Sequence, residues 1–94
     1  MNKNLREIKV RGTTYQLNDV VALNGYNEHK GYTAVIRIDS IHKCISGSYH
    51  IAEYKDGKKQ YVANAAYIRS LATPEEIELE NIRRQEYSLN KKEV

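Results

Sequence analysis

Ninety-four residues, 40% of them hydrophobic, suffice for one domain with a modest core and exclude a deep substrate cavity. A lone cysteine, Cys44, excludes an internal disulfide, and no run reaches the roughly 18 apolar residues of a membrane span. The net charge of +3 is unevenly divided: residues 1–73 form a basic body and residues 74–94 a mildly acidic tail, a balance that favours polyanions or an acidic protein face as partner.

The N-terminus, MNKNLREIKV, is polar from its first residue and has no apolar signal-peptide region, so a soluble protein in a reducing cytoplasm is expected. Leu5 to Leu17 reads as a hairpin, with Ile8 and Val10 alternating with charge before Arg11-Gly12 and Thr13, Tyr15 and Leu17 alternating after it. Val20 to Leu23 is a short strand. Residues 24–31, NGYNEHKG, form a polar loop carrying Tyr26, His29 and Lys30.

The stretch Tyr32 to Ile41, YTAVIRIDSI, is the long strand around which the rest is built. Tyr32, Ala34, Ile36 and Ile38 fall on one face and Thr33, Arg37 and Asp39 on the other, the pattern of a sheet with one dry and one wet side. So long a strand in so small a chain has to bend, and it then serves both halves of a small barrel. His42 to Ser48 reads as a second loop and Tyr49 to Tyr54 as the next strand. Asp56-Gly57 demands a two-residue turn, and Lys59 to Ala63 is the returning strand. A 3₁₀ turn at residues 64–66 precedes a last short strand, Tyr67 to Leu71. The expected core is Val21, Leu23, Ala34, Ile36, Ile38, Ile51, Val62, Ile68 and Leu71.

From Thr73 the period changes. Thr as N-cap, Pro74 at the first helical position and Glu76 closing a capping box predict a helix from Pro74 to about Tyr87. Its apolar stripe of Ile77, Leu79 and Ile82 is narrow, so the helix is expected to dock loosely or project. Its acidic first turns should be solvated. The body at 1–73 and the tail at 74–94 make a single domain.

Chemistry-bearing clusters are sparse. His42, Cys44 and His50 are the one set of metal-ligating types, but zinc needs a fourth ligand from Asp39 or Glu53, and no paired short spacing is present. A Cys44–His nucleophile pair would need an orienting group and an oxyanion hole, which nothing in the sequence nominates. Gly25 and Gly31 match no phosphate loop. No catalytic residue, metal or cofactor is therefore expected, and the chain reads as a non-enzyme.

Basic and tyrosine-bearing positions offer more. Lys55, Lys58 and Lys59 cluster at a hairpin flanked by Tyr54 and Tyr61, a mixture that suits phosphates and bases. The plainer reading is that such lysines guard the edge of a β protein. Tyr26, His29 and Lys30 offer a second contact surface on the first loop. With eight Tyr and neither Phe nor Trp, some tyrosines must fill core positions while others face partners.

The order from Val20 to Leu71 resembles an SH3-like barrel, with residues 24–31 in place of the first long loop and Lys55–Lys58 in place of the distal hairpin. The ending IRSLATPEEIELENIRRQE resembles the tails of small bacteriophage and prophage proteins, most specifically over Arg69 to Ile77. The chain has no Trp to build the groove for Pro-rich ligands, so that activity is not carried over. The resemblance implies an accessory protein in the bacterial host cytoplasm that binds, and inhibits or redirects, host or defence machinery acting on nucleic acid. Direct DNA or RNA binding through the basic hairpin is the alternative, and a self-assembling virion component the third.

Overall fold

The computed structural model describes residues 4–24 and 34–92. In chain order they form β1 (Asn4–Leu5), β2 (Glu7–Val10), β3 (Thr13–Gln16), β4 (Val20–Leu23), β5 (Ala34–Arg37), β6 (Ser40–Lys43), β7 (Tyr49–Lys55) and β8 (Lys58–Asn64). A 3₁₀ turn (Ala65–Tyr67), β9 (Ile68–Leu71) and α1 (Pro74–Lys92) follow. The chain is mainly β with one C-terminal helix. Among the described residues no helix is long and apolar enough to cross a membrane.

Two hairpins follow directly from their turn residues. Arg11 and Gly12 both take positive φ (47° and 86°), as do Asp56 and Gly57 (53° and 77°), the backbone twist that joins two right-handed strands through two residues. Arg11 also ties its hairpin to the rest of the molecule, donating to the carbonyl of Ala66 at 2.8 Å and to that of Ile68.

Three antiparallel sheets result, ordered β1-β6-β7-β8, β5-β4-β9 and the hairpin β2-β3. They do not close on one another, so the expected closed barrel is not found among the described residues. The long strand is broken as its length demanded: Ala34–Arg37 pairs with β4, Ser40–Lys43 pairs with β7, and Ile38-Asp39 is the bend between sheets. Tyr32 and Thr33 lie outside the described residues. Backbone bonds fix the bend, with Ile38 N–H donating to Asp19 O (2.8 Å) and Asn18 N–H to Ile38 O (2.7 Å). The Asp39 carboxylate then accepts the Tyr54 N–H at 2.8 Å and two bonds from the Arg37 guanidinium, at 2.7 and 2.8 Å.

The core gathers Ile8, Tyr15, Val21, Leu23, Ile36, Ile38, Ile41, Ile51 and Ile68, with Ala63 and Ala65. Two expected members are corrected. Val62 alternates with Tyr61 and Ala63 and so faces outward, 50% exposed. Leu71 lies beyond a register shift, where Ala22 pairs with Ser70 and Leu23 with Ile68, and it is 55% exposed. Leu71 stands three positions from buried Ile68, and the alternation along β9 turns the two to opposite faces. Ala34 is only partly buried. The supposed wet side of the long strand holds Val35, which is buried beneath α1.

The helix begins as its capping residues require. Glu76 N–H donates to Thr73 Oγ1 at 3.1 Å, Thr73 N–H donates to Glu76 Oε1 at 2.9 Å, and Arg69 pairs with the same carboxylate. The helix runs to Lys92, past the expected end at Tyr87, and it docks on β5 rather than projecting.

Two carboxyls sit below their ordinary range. Asp39 is held down by the Arg37 guanidinium and the Tyr54 N–H, and Glu76 by the Thr73 N–H and then Arg69. A carboxyl depressed in the folded chain adds stability that is present above its unfolded value, about 4, and is lost as pH falls through the folded value. The melting temperature is therefore expected to hold from about pH 7 to about pH 5 and to drop below about pH 4. Asp39→Asn should flatten part of that drop in a thermal scan, and an identical curve in the variant would remove Asp39 as a cause.

Candidate functional site

Glu53 stands on the inner side of β7, beside a bulge that pairs it with Tyr61 and pairs Tyr54 with Lys59, leaving Gln60 as the extra residue of β8. It is 4% exposed. Its Oε1 accepts the Arg37 N–H at 2.8 Å, and its Oε2 accepts from Arg84 Nη1 at 2.8 Å. Arg84 reaches down from α1 and also donates to the Val35 carbonyl (2.8 Å) and to Glu80 Oε2 (2.8 Å). The Tyr61 ring lies 4.5 Å from its guanidinium carbon. Glu80, 5% exposed, is shared between Arg84 and Arg83.

Burial pulls the Arg84 guanidinium down, but the hydrogen bonds and charges of Glu53 and Glu80 outweigh it, and the net direction is upward. The guanidinium therefore stays charged. Cavities of about 160 and about 130 Å³ flank this network, below the range of a pocket that encloses a drug-sized ligand. Its role is to hold the helix against the sheet. The expected solvation of the acidic first turns is corrected here: Glu80 is buried because it faces β5 together with Ile77, Asn81 and Arg84.

The basic hairpin is present as expected. Lys55 pairs directly with Lys58, Tyr54 with Lys59, and all three lysines are exposed. Tyr54 is half-buried. Tyr61 points away from this group to the inner face, where it packs against the core and Arg84. Tyr26, His29 and Lys30 lie outside the described residues.

His42 is not in a loop: it belongs to β6 and pairs across the ladder with His50. Ser40 Oγ is 3.0 Å from His42 Nε2, and Cys44 Sγ is 2.6 Å from His50 Nδ1. No group of three His, Cys, Asp or Glu able to hold a metal ion occurs among the described residues.

On α1, Leu79 and Ile82 stand one turn apart on the side away from the sheet, 65% and 44% exposed. Sequence reasoning placed them in the stripe that docks. The docking stripe is instead Ile77, Glu80 and Arg84, at spacings of three and four, in which two of the three positions are charged. The signal that could have found it was the Glu80–Arg84 spacing of four beneath a strand bearing a lone Glu53.

Comparison of the chain with protein-family models, curated proteins and solved structures finds no match.

Arg84→Ala removes the counter-charge of buried Glu53 and one of the two that Glu80 holds, and is expected to cost about 3–5 kcal/mol in a urea titration. Adding Glu53→Gln to that variant should recover part of the loss. Independent, additive effects of the two substitutions would show that the pair is not coupled.

Proposed function

We propose that the chain is a non-catalytic, phage-type binding protein of SH3-like arrangement. In this reading it works in the bacterial host cytoplasm, engaging through protein contacts a host or defence complex that acts on nucleic acid. The observation that carries protein binding is the outward apolar pair Leu79 and Ile82. Two large aliphatic side chains sit on a helix face that is not needed to hold the helix in place, beside a body whose own core is small. Leu71, at the end of β9 nearest the helix in sequence, is a further exposed aliphatic side chain.

Support for the SH3-like arrangement comes from the strand orders β5-β4-β9 and β6-β7-β8, joined by the bent segment 34–43, with a 3₁₀ turn before the last strand. The Thr-Pro-Glu-Glu helix start directly after that strand fits the phage-type resemblance.

Affinity capture from nuclease-treated bacterial lysate at physiological salt is expected to retain a stoichiometric protein partner. Leu79→Ser with Ile82→Ser should lose it while the melting temperature stays within a few degrees, because neither side chain supports the core. Capture that is indifferent to this double variant would overturn the assignment of the surface. Recovery of only further copies of the chain would favour self-assembly instead.

A second reading, direct nucleic-acid binding, is favoured by one observation. Lys55 faces Lys58 across the ladder, an unfavourable like-charge pair that an anion would relieve. It predicts binding to duplex or single strands that collapses between about 50 and about 200 mM salt. Lys58→Glu with Lys59→Glu should abolish that binding in a mobility-shift titration, and no shift of any strand at low salt would remove the reading.

A further inference from the structure

The outer edge of β2, the side away from β3, borders an open, mainly apolar groove of about 390 Å³. Its walls are Ile8 and Val10 on one side and Tyr49 and Ala65 on the other. Consecutive residues of the hairpin, from Ile8 to Arg11, all line it, which is what a strand edge presents and a strand face does not. Val10 and Tyr49 pack against the core yet stay partly exposed, so apolar surface remains open to the groove. The volume falls in the range of pockets that take a small organic molecule, unlike the cavities beside Arg84.

The charge around this groove has one sign. Lys9 and Arg11 line it, and no acidic side chain does. Arg37, Arg69, Arg83 and Arg84 are each paired with a carboxylate. Arg11 is held instead by two neutral carbonyls, those of Ala66 and Ile68, so its position is fixed while its charge stays uncompensated among the described residues. A backbone donor joins the two cations. The turn at Arg11-Gly12 is two residues long, so Val10 and Thr13 exchange both ladder bonds and the next pair, Lys9 and Thr14, exchanges none. The Lys9 N–H and C=O therefore point out of the hairpin, along the edge that borders the groove.

We propose that the groove binds a small amphipathic monocarboxylate. Its apolar body lies between Val10 and Tyr49, and its carboxylate meets the Lys9 N–H, the Lys9 ammonium and the Arg11 guanidinium at the rim. The walls supply affinity for any apolar body of that size, and the rim selects among head groups. Arg11 is already immobilised by its two carbonyls, so little side-chain entropy is lost when it receives an anion. This site is independent of the contact surface on α1.

The test is a fluorescence titration of the whole chain with anilinonaphthalene sulfonate. Displacement then compares naphthoate with naphthalenemethanol, which has the same rings and no charge. A single saturable site per chain is expected, and naphthoate should displace the dye at a concentration at least about tenfold below the alcohol, as charge-assisted hydrogen bonds require. Absence of saturable binding, or equal displacement by the two compounds, overturns the proposal. Lys9→Glu should erase the preference without weakening the alcohol, and a preference that survives overturns the placing of the carboxylate. Ala66→Trp fills the groove from an exposed position and should abolish dye binding at an unchanged melting temperature. Dye that still binds that folded variant lies elsewhere, which overturns the assignment. Leu79→Ser with Ile82→Ser should titrate like the parent chain, and loss of the dye there would place it on the helix and overturn the groove as well.

Discussion

A guanidinium on the last element and a carboxylate in the middle of the sheet hold this molecule together. Arg84 meets Glu53, Glu80, the Val35 carbonyl and the Tyr61 ring at once, so one side chain links α1 to two different sheets. The helix has little else with which to dock, since Leu79 and Ile82 face away and Ile77 is its one described aliphatic side chain toward β5. Buried pairs of this sort contribute little net energy compared with an apolar replacement, but they tolerate almost no misplacement. What they contribute here is position: the helix can sit in one register on the sheet, and that register leaves an apolar face outward.

The bend at Ile38-Asp39 plays the corresponding part within the β structure. Two carboxylates are exchanged across it: Glu53 takes the Arg37 N–H and Asp39 takes the Tyr54 N–H. Each satisfies a backbone donor where regular ladder pairing changes partner or register, which would otherwise leave a buried group unpaired. The same two residues therefore shape the bend and, through Glu53, receive the helix. Arg11 does similar work at the far end, closing the first hairpin onto the 3₁₀ turn and the start of β9 through the Ala66 and Ile68 carbonyls.

Local chemistry was readable in the chain and long-range parity was not. Arg11-Gly12, Asp56-Gly57 and the Thr73–Glu76 capping box each act within four residues, and each is found where the residues placed it, while the 3₁₀ turn expected at 64–66 sits one residue later, at Ala65–Tyr67, with Asn64 as its cap. Val62 was lost because its neighbour Ala63, a weak hydrophobic signal, is the residue that points inward. Leu71 was lost because it lies an odd number of residues from Ile68, and period two sends the two to opposite faces. The charged docking stripe was hidden by the usual association of buried faces with aliphatic side chains, and Val35 by the assumption that the second face of its strand meets water. Of the residues nominated for binding, Lys55, Lys58 and Lys59 are grouped as expected, while Tyr61 belongs to the packing of the helix. The pairing of Cys44 with His50 rests on the exact length of one turn, which residue types alone do not specify.

The 31 residues separating Glu53 from Arg84 also matter during synthesis. As the chain leaves the ribosome, β7 and its neighbours emerge well before the helix, and until the helix follows they hold an acid with no counter-ion in a place that water is meant to leave. The β layers are therefore an unfinished body whose completion waits on translation of α1, and a nascent chain stalled before Arg84 would remain loose and open to proteolysis.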